Sequence, residues 1–511
     1  MKSSMRGTAG AVALIIAVGL FYLLTIRAGH RWSDFALYVH HAKNLVEGVP
    51  YRDTGHIYNY HDPGDTPRAY PPVFPLLLTP VYKFFGLNFT AMKMEVVLLW
   101  MAALAMLFFL WRCELSAHAS IALVAMVGLN PFYWDFKDEV LSDFPFMLTL
   151  AVALYLIHRW HGTSSSPKQR AVRALVLGLA LFLAYGTRPA GALLAMALPL
   201  LDLLQRRRLR LDTVATLAVF GSLLLLNRWV FGSDPTSNYA ASLSMTFQDT
   251  WLNLSWWLPW ELNLLLQNGY SWRLVKLLVL LLSMLAAFGY LLRVRRRVTI
   301  LEVFTGLYLV LIIVNSYSAT QDTRYLIPLF PWYLFYVVVG LEEIRTRIPA
   351  AISRVALAGL TAIVLASYTG RYTKIDFGPI RNGVTDPEAV ELFAYIREKT
   401  NPKDVFIFSR AIHLSLFGER ASSAYWVPER TEELWTYAGE IGATHFAVGT
   451  GRRKPMWSPD FIWSAEDGVF YRQFASANLD RLVPVFSNAD FVLYRITSYP
   501  PTQQAALKPS G

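Results

Sequence analysis

A polytopic α-helical membrane protein with a C-terminal extracytoplasmic α/β domain is what this sequence of 511 residues predicts, on three observations. The chain is 54% hydrophobic and only 16% charged, against roughly 25% charged in an ordinary soluble domain. Apolar runs near the roughly 20 residues that cross a bilayer recur through its first two thirds. Lysine and arginine concentrate in alternate loops between those runs, which fixes an orientation.

About eleven transmembrane helices follow, in order, from the runs at 9–27, 91–111, 117–134, 143–160, 171–186, 189–204, 212–231, 271–292, 299–317, 324–341 and 349–368. The first run follows Lys2 and Arg6 and is longer than the roughly 7–15 apolar residues of a signal peptide, so it reads as an uncleaved span. With the amino terminus inside, the arginine clusters Arg206–Arg210 and Arg293–Arg297 face the cytoplasm. The short outside loops hold only Lys137, Arg188 and Arg324, beside Asp135, Asp138, Glu139, Asp143 and Asp322. Eleven spans leave the carboxyl terminus outside. The net charge of +11 therefore belongs to loops facing anionic lipid, and no nucleic-acid partner is expected. Cys113, the only cysteine, has no intramolecular partner for a disulfide.

Residues 1–369 thus form the membrane module, with outside loops at 28–90 and 232–270, and 370–511 the extracytoplasmic domain. In the first loop, Phe35, Val39, Ala42 and Val46 recur at helical spacing and Gly48 stands at a helix stop, predicting an interfacial amphipathic helix. His40 and His41 fall on its polar face. Trp251, Trp256, Trp257, Trp260 and Trp272 mark the second loop as an interfacial aromatic belt. In the tail, Asp386-Pro387-Glu388 opens a helix and Glu432–Ile441 reads as another. Strands are expected at Val405–Phe408, His445–Val448, Leu482–Phe486 and Phe491–Ile496.

Asp34 stands where the chain leaves the first span, a place from which a carboxylate can act on a substrate held in lipid. Its structural alternative is a first-turn acid that complements the helix dipole. The spacing of Asp34, Tyr38, Ala42, Leu45, Gly48 and Tyr51 resembles that of the GT-C superfamily of membrane glycosyltransferases. Further stretches are similar to the same superfamily: Tyr70-Pro71-Pro72, Ser142-Asp143, Gly186-Thr187-Arg188-Pro189, and Thr323-Arg324-Tyr325 with Pro328 and Pro331.

The resemblance implies a transferase that takes a sugar from a polyprenyl-phosphate donor, like protein O-mannosyltransferases, lipid A aminoarabinose transferases and polyprenol-dependent mannosyltransferases. It implies inversion, with Asp34 as general base and Arg324 and Arg188 binding the donor phosphate. A supporting acid is expected among Asp135, Asp138, Glu139 and Asp143, with Asp138 and Asp143 as the candidates, and Tyr38, His56, His61 and Tyr70 make the substrate loop. A glycan, lipid or protein hydroxyl is the expected acceptor, and a bacterial inner or plasma membrane the expected location. Many relatives place a second acid beside the first-loop aspartate, whereas Phe35 follows Asp34 here. A divalent cation is accordingly left open as a cofactor. His56, His61, Asp62 and Asp65 supply metal-type donors but match no ligand spacing, and Gly55, Pro63, Gly64 and Pro67 make them a substrate-facing loop.

No Walker loop, GxSxG elbow or zincin pair occurs, which removes nucleotide hydrolysis, serine hydrolysis and zinc proteolysis. Two rivals share the many spans: a lipid or glycolipid transporter, and a non-enzymatic envelope assembly factor. A transporter is disfavoured because no internal repeat or matched pair of broken spans is evident.

Overall fold

The computed structural model describes residues 2–61, 67–164, 166–232, 246–266, 272–314, 323–345, 350–450 and 465–500. Each of the eleven apolar runs coincides with a helix, from Lys2–Leu24 to Ala350–Tyr372. Five described helices are long and apolar enough to cross a membrane by themselves: Gly7–Leu24, Phe89–Arg112, Pro167–Thr187, Leu211–Phe231 and Leu277–Arg296. They expose large apolar side chains such as Leu24, Leu225 and Trp229, a surface suited to lipid and costly in water.

Helix Phe89–Arg112 packs against Asp143–Trp160, which in turn packs against Pro167–Thr187 and Ile300–Val314. Midway along helix Phe89–Arg112 the buried Trp100 ring stacks between Tyr133 and Phe144, at centroid distances of 4.9 and 4.6 Å. The wide, flat contact anchors the starts of two neighbouring helices.

The first loop forms two helices, Phe35–Glu47 and Val73–Phe85, packed on each other. Gly48 ends the former in the left-handed conformation (φ 71°), with its N–H returned to the Asn44 carbonyl. The expected amphipathic surface helix is instead buried nearly all round in its first two turns. Tail helix Ala411–Gly418 covers it, and His40 and His41 are inside. Of the tryptophan belt, Trp251 is exposed and Trp257 buried; the side chains of Trp256, Trp260 and Trp272 lie outside the described residues.

The tail builds a six-stranded sheet in the order β1-β3-β2-β4-β6-β5. Strands β2 (Val405–Phe408), β4 (His445–Gly449), β5 (Leu482–Ser487) and β6 (Phe491–Ile496) match the expected runs, while β3 (Ala421–Ser423) is additional. The edge strand β1 is His56–Ile57, from the first loop, paired parallel with β3. Strand alternation explains how the sheet is shared. Phe406 and Phe408 enter the core continuous with the membrane bundle, and Ile407 between them joins a separate cluster with Trp435, Phe446 and Phe474.

Candidate active site

Asp34 is the N-cap residue of helix Phe35–Glu47, yet its carboxylate makes no capping hydrogen bond. It turns to Arg324, whose Nη1 donates to Oδ2 at 3.0 Å. Arg324 sits on a short 3₁₀ turn, Thr323–Leu326, and its Nε lies 3.4 Å from Asp143 Oδ2. Asp143 opens helix Asp143–Trp160 and accepts from Arg188 through its other oxygen. Arg188 is the C-cap of helix Pro167–Thr187, and a tight turn at Gly191 holds it there. A Cβ on Gly191 would run into the backbone of Ala184 and Tyr185.

Four charges from four distant stretches therefore alternate, Asp34, Arg324, Asp143 and Arg188. Aromatic rings frame them. Tyr38 stacks on Tyr70 at 4.2 Å, and its hydroxyl shares a hydrogen bond with Ser142 Oγ at 2.9 Å. The Arg188 guanidinium lies 5.8 Å from the Tyr325 ring, within cation–π range. Asp143 is sealed, whereas the side chain of Asp34 keeps 29% of its exposure and Arg324 18%, so the array is open on the Asp34 side. Arg324 Nε and Asp143 Oδ2 make no hydrogen bond among the described residues although both are buried. Capacity for a ligand is thus left at the centre of the array. The guanidinium of Arg324 lies between the two carboxylates, and that of Arg188 pairs with Asp143 alone.

An apolar cavity of about 760 Å³ lies among the helices that follow the array in sequence, with none of the four charged residues in its lining. Leu329 and Tyr333, a few residues beyond Arg324, form part of its wall, with Leu262, Val279, Ala286 and Leu309 opposite.

The other expected site residues are placed elsewhere. Asp138 does not reach the array: it is fully buried in a cage made by Arg27 Nε (2.7 Å), Lys137 Nζ (2.7 Å) and the Arg27 N–H (3.0 Å), with Lys93 Nζ at 3.8 Å. Beside it, Arg31 joins Asp135 (3.0 Å) and Glu139 (2.8 Å). Burial alone would raise the Asp135 carboxyl, but Arg31 and Arg27 outweigh it and hold it down at about 2. His56 is a strand residue, not part of an open loop, and burial lowers its imidazole to about 4. His61 stacks on Trp426 of the tail at 4.3 Å. Asp62 and Asp65 lie outside the described residues, as does Asp322. Among the described residues no three His, Cys, Asp or Glu side chains group to hold a metal.

Three histidines, given no such role by the sequence, hold the loop in place. His41 donates from Nδ1 to the Tyr51 carbonyl (2.8 Å) and accepts the Tyr70 N–H at Nε2 (3.2 Å). His30 donates to the Arg31 carbonyl (2.8 Å) and accepts the Val140 N–H (3.2 Å). His413 of the tail accepts the Ser33 N–H (3.3 Å), one residue before Asp34. Each must be neutral to accept, and burial lowers all three, His30 to about 4 and His41 to about 3.

No protein-family model matches the sequence, and no curated protein matches it either. Solved structures do. ArnT from Cupriavidus metallidurans bound to undecaprenyl phosphate aligns with a TM-score of 0.58 at 13% identity, over 95% of this chain and 98% of that one. The alignment takes in most of both chains. The chain has the GT-C fold. The archaeal oligosaccharyltransferase AglB from Archaeoglobus fulgidus, in complex with an inhibitory peptide and a dolichol-phosphate, aligns at 0.56 and 11% identity, over 86% of this chain and 69% of that one. The arabinofuranosyltransferase AftD from Mycobacteria aligns at 0.53 and 13% identity, over 96% of this chain and 42% of that one. Within this GT-C fold, the array of Asp34, Arg324, Asp143 and Arg188 lies where the first loop, two helix ends and the Thr323–Leu326 turn converge.

Proposed function

We propose that this protein is an inverting glycosyltransferase that moves a sugar from a polyprenyl-phosphate donor to an acceptor hydroxyl at the outer face of a membrane. The observation that supports this reading above all is Arg324 bridging two carboxylates, of which Asp34 is partly open. Polyprenyl chain suits the cavity, and sugar phosphate suits the array. Undecaprenyl and dolichyl phosphate in the ArnT and AglB structures favour the same donor class.

In the reaction the acceptor oxygen attacks the anomeric carbon from the face opposite the phosphate. Asp34, the more open carboxylate, takes the hydroxyl proton as the C–O bond forms. The bond from the anomeric carbon to the phosphate oxygen breaks, and polyprenyl phosphate departs with the electron pair. Negative charge on that oxygen grows towards the transition state, so a fixed guanidinium stabilises the transition state more than the bound donor. Arg324 has its Nε available for this, and Arg188, held by Asp143, reinforces the field. Asp143 orients both arginines and is a positioning residue. Eleven spans, an amino terminus inside and an outer tail complete the proposed topology.

The test is sugar transfer from synthetic polyprenyl-phosphate sugars by purified wild type and Asp34→Asn. Loss of transfer by a variant that keeps its fold and still binds donor supports the reading; an unchanged rate rejects it.

A further inference from the structure

We propose that a second site, at the opposite ends of the same helices, binds the headgroup of an anionic phospholipid from the inner leaflet. A cavity of about 610 Å³ lies between the end of helix Asp143–Trp160, the end of helix Ala192–Arg206 and the segment Arg297–Ile300. His158 is separated from Asp143 by fifteen helical residues, on the order of 20 Å, so this cavity is remote from the array around Arg324.

Its lining divides sharply by chemistry. Ile157 and Leu201 make an aliphatic floor, while His158, His161, Arg206 and Arg297 provide the polar wall, with no acidic side chain among the lining residues. The histidines are already engaged: His158 Nε2 lies 3.1 Å from Glu114 Oε1, and His161 Nε2 lies 2.8 Å from Asp202 Oδ1. Arg206 and Arg297 are different. Their side chains are exposed and have no ion-pair or hydrogen-bond partner among the described residues. The Gln205 side-chain amide donates to the Val298 carbonyl at 2.9 Å, which ties the segments bearing the two arginines together. Two free guanidiniums on a braced rim suit a phosphodiester, which each can bind through paired N–H groups.

Lipid is the occupant that also accounts for the flank. Met196, Leu203 and Leu204 are 56%, 47% and 58% exposed on the helix that ends at Arg206, and they form one apolar face leading from the rim towards the bilayer. Acyl chains would lie along that face with the phosphate between Arg206 and Arg297. Exposed Arg207 adds positive potential that concentrates anionic lipid there. A soluble anion would use the arginines and leave the leucines without a role.

The experiment is thermal unfolding of the full chain in zwitterionic detergent micelles, with phosphatidylglycerol, phosphatidylcholine or inorganic phosphate titrated in. Wild type is compared with Arg206→Ala/Arg297→Ala and with a control of equal charge change, Arg208→Ala/Arg295→Ala. Neither pair of arginines is buried, so neither double variant strands a partner inside the protein. Phosphatidylglycerol should raise the midpoint saturably in wild type and in the control, phosphatidylcholine should not, and the Arg206/Arg297 variant should need at least tenfold more lipid for the same shift. Native mass spectrometry of the same samples should lose one bound phosphatidylglycerol in that variant alone. Equal loss in the control, an equal shift with phosphatidylcholine, an equal shift with inorganic phosphate, or no shift at all would each overturn the proposal. Sugar transfer does not enter the readout, so the outcome is independent of the proposed enzymatic activity.

Discussion

Two clusters of charge, one around Asp138 and one around Arg324, are built from the same residue types to opposite effect. Around Asp138, every carboxylate is met by cations at hydrogen-bond distance: Arg27 and Lys137 on Asp138, Arg27 and Arg31 on Asp135, Arg31 and the Ser33 hydroxyl on Glu139. Around Arg324 the partners are fewer and looser. Asp34 is no more open than Asp135, but a buried nitrogen of Arg324 faces a buried oxygen of Asp143 without a hydrogen bond. Charge met on every carboxylate by a cation is scaffold; charge that keeps an unpaired buried donor and acceptor has capacity to receive a ligand.

The comparison yields four predictions, and the first two break it most directly. Asp34→Asn should lower the transfer rate roughly 10²- to 10⁴-fold, as loss of a general base does, with little change in thermal midpoint. Asp138→Ala should do the converse. It strands buried Lys137 and Arg27, costs about 3–5 kcal/mol of stability, and should be seen as a large drop in thermal midpoint or folded yield. If Asp138→Ala folded normally and lost only turnover, the two clusters would have to exchange roles.

The third prediction concerns pH. His30, His41 and His413 are held neutral, so each has a folded-state pKa below that of the unfolded chain, near 6.5. Below pH ~6.5 the unfolded chain binds protons that the folded loop does not, so stability present at neutral pH is lost as the pH falls from there towards 4. Unfolding midpoints between pH 7.5 and 4.5 should decline, and His413→Gln, which can still accept the Ser33 N–H, should flatten part of that decline. Asp135, held at about 2, resists until the pH falls below its unfolded value near 4. The cage should therefore outlast the histidine clasps. The smallest effect is expected for Tyr38→Phe, which removes one hydrogen bond to Ser142 while keeping the stack on Tyr70. It should cost about 1 kcal/mol, read as a small fall in thermal midpoint.

Much of the frame was legible in sequence because it depends on local composition. The apolar runs, the stop at Gly48 and four of the six strands follow from hydropathy and turn chemistry that a short window contains. Strand β1 was not legible, since two residues have no periodicity and pair only because the loop reaches the tail. Nor were the histidine clasps: His40 and His41 belong on a polar face by spacing, and only the fold puts them inside, with Tyr51 and Tyr70 closing over His41. Lys93 was the one missed member of the cage with a signal, since a lysine within an otherwise apolar span is costly unless partnered. Arg27 and Arg31, at the end of a span, read as ordinary interfacial cations.

By itself the sequence determined the partition of this protein between lipid and water, because transfer free energy adds up residue by residue along a helix. It also placed Asp34, Arg188, Asp143 and Arg324 at or near the ends of apolar runs. Only the tertiary structure decided that these four meet while Asp138 does not. Asp138 and Asp143 are five residues apart and chemically alike, and the turn between them sends one carboxylate towards Arg27 and the other towards Arg324. Which cation a carboxylate meets is set by distances across the fold, and those follow from how helices far apart in sequence pack.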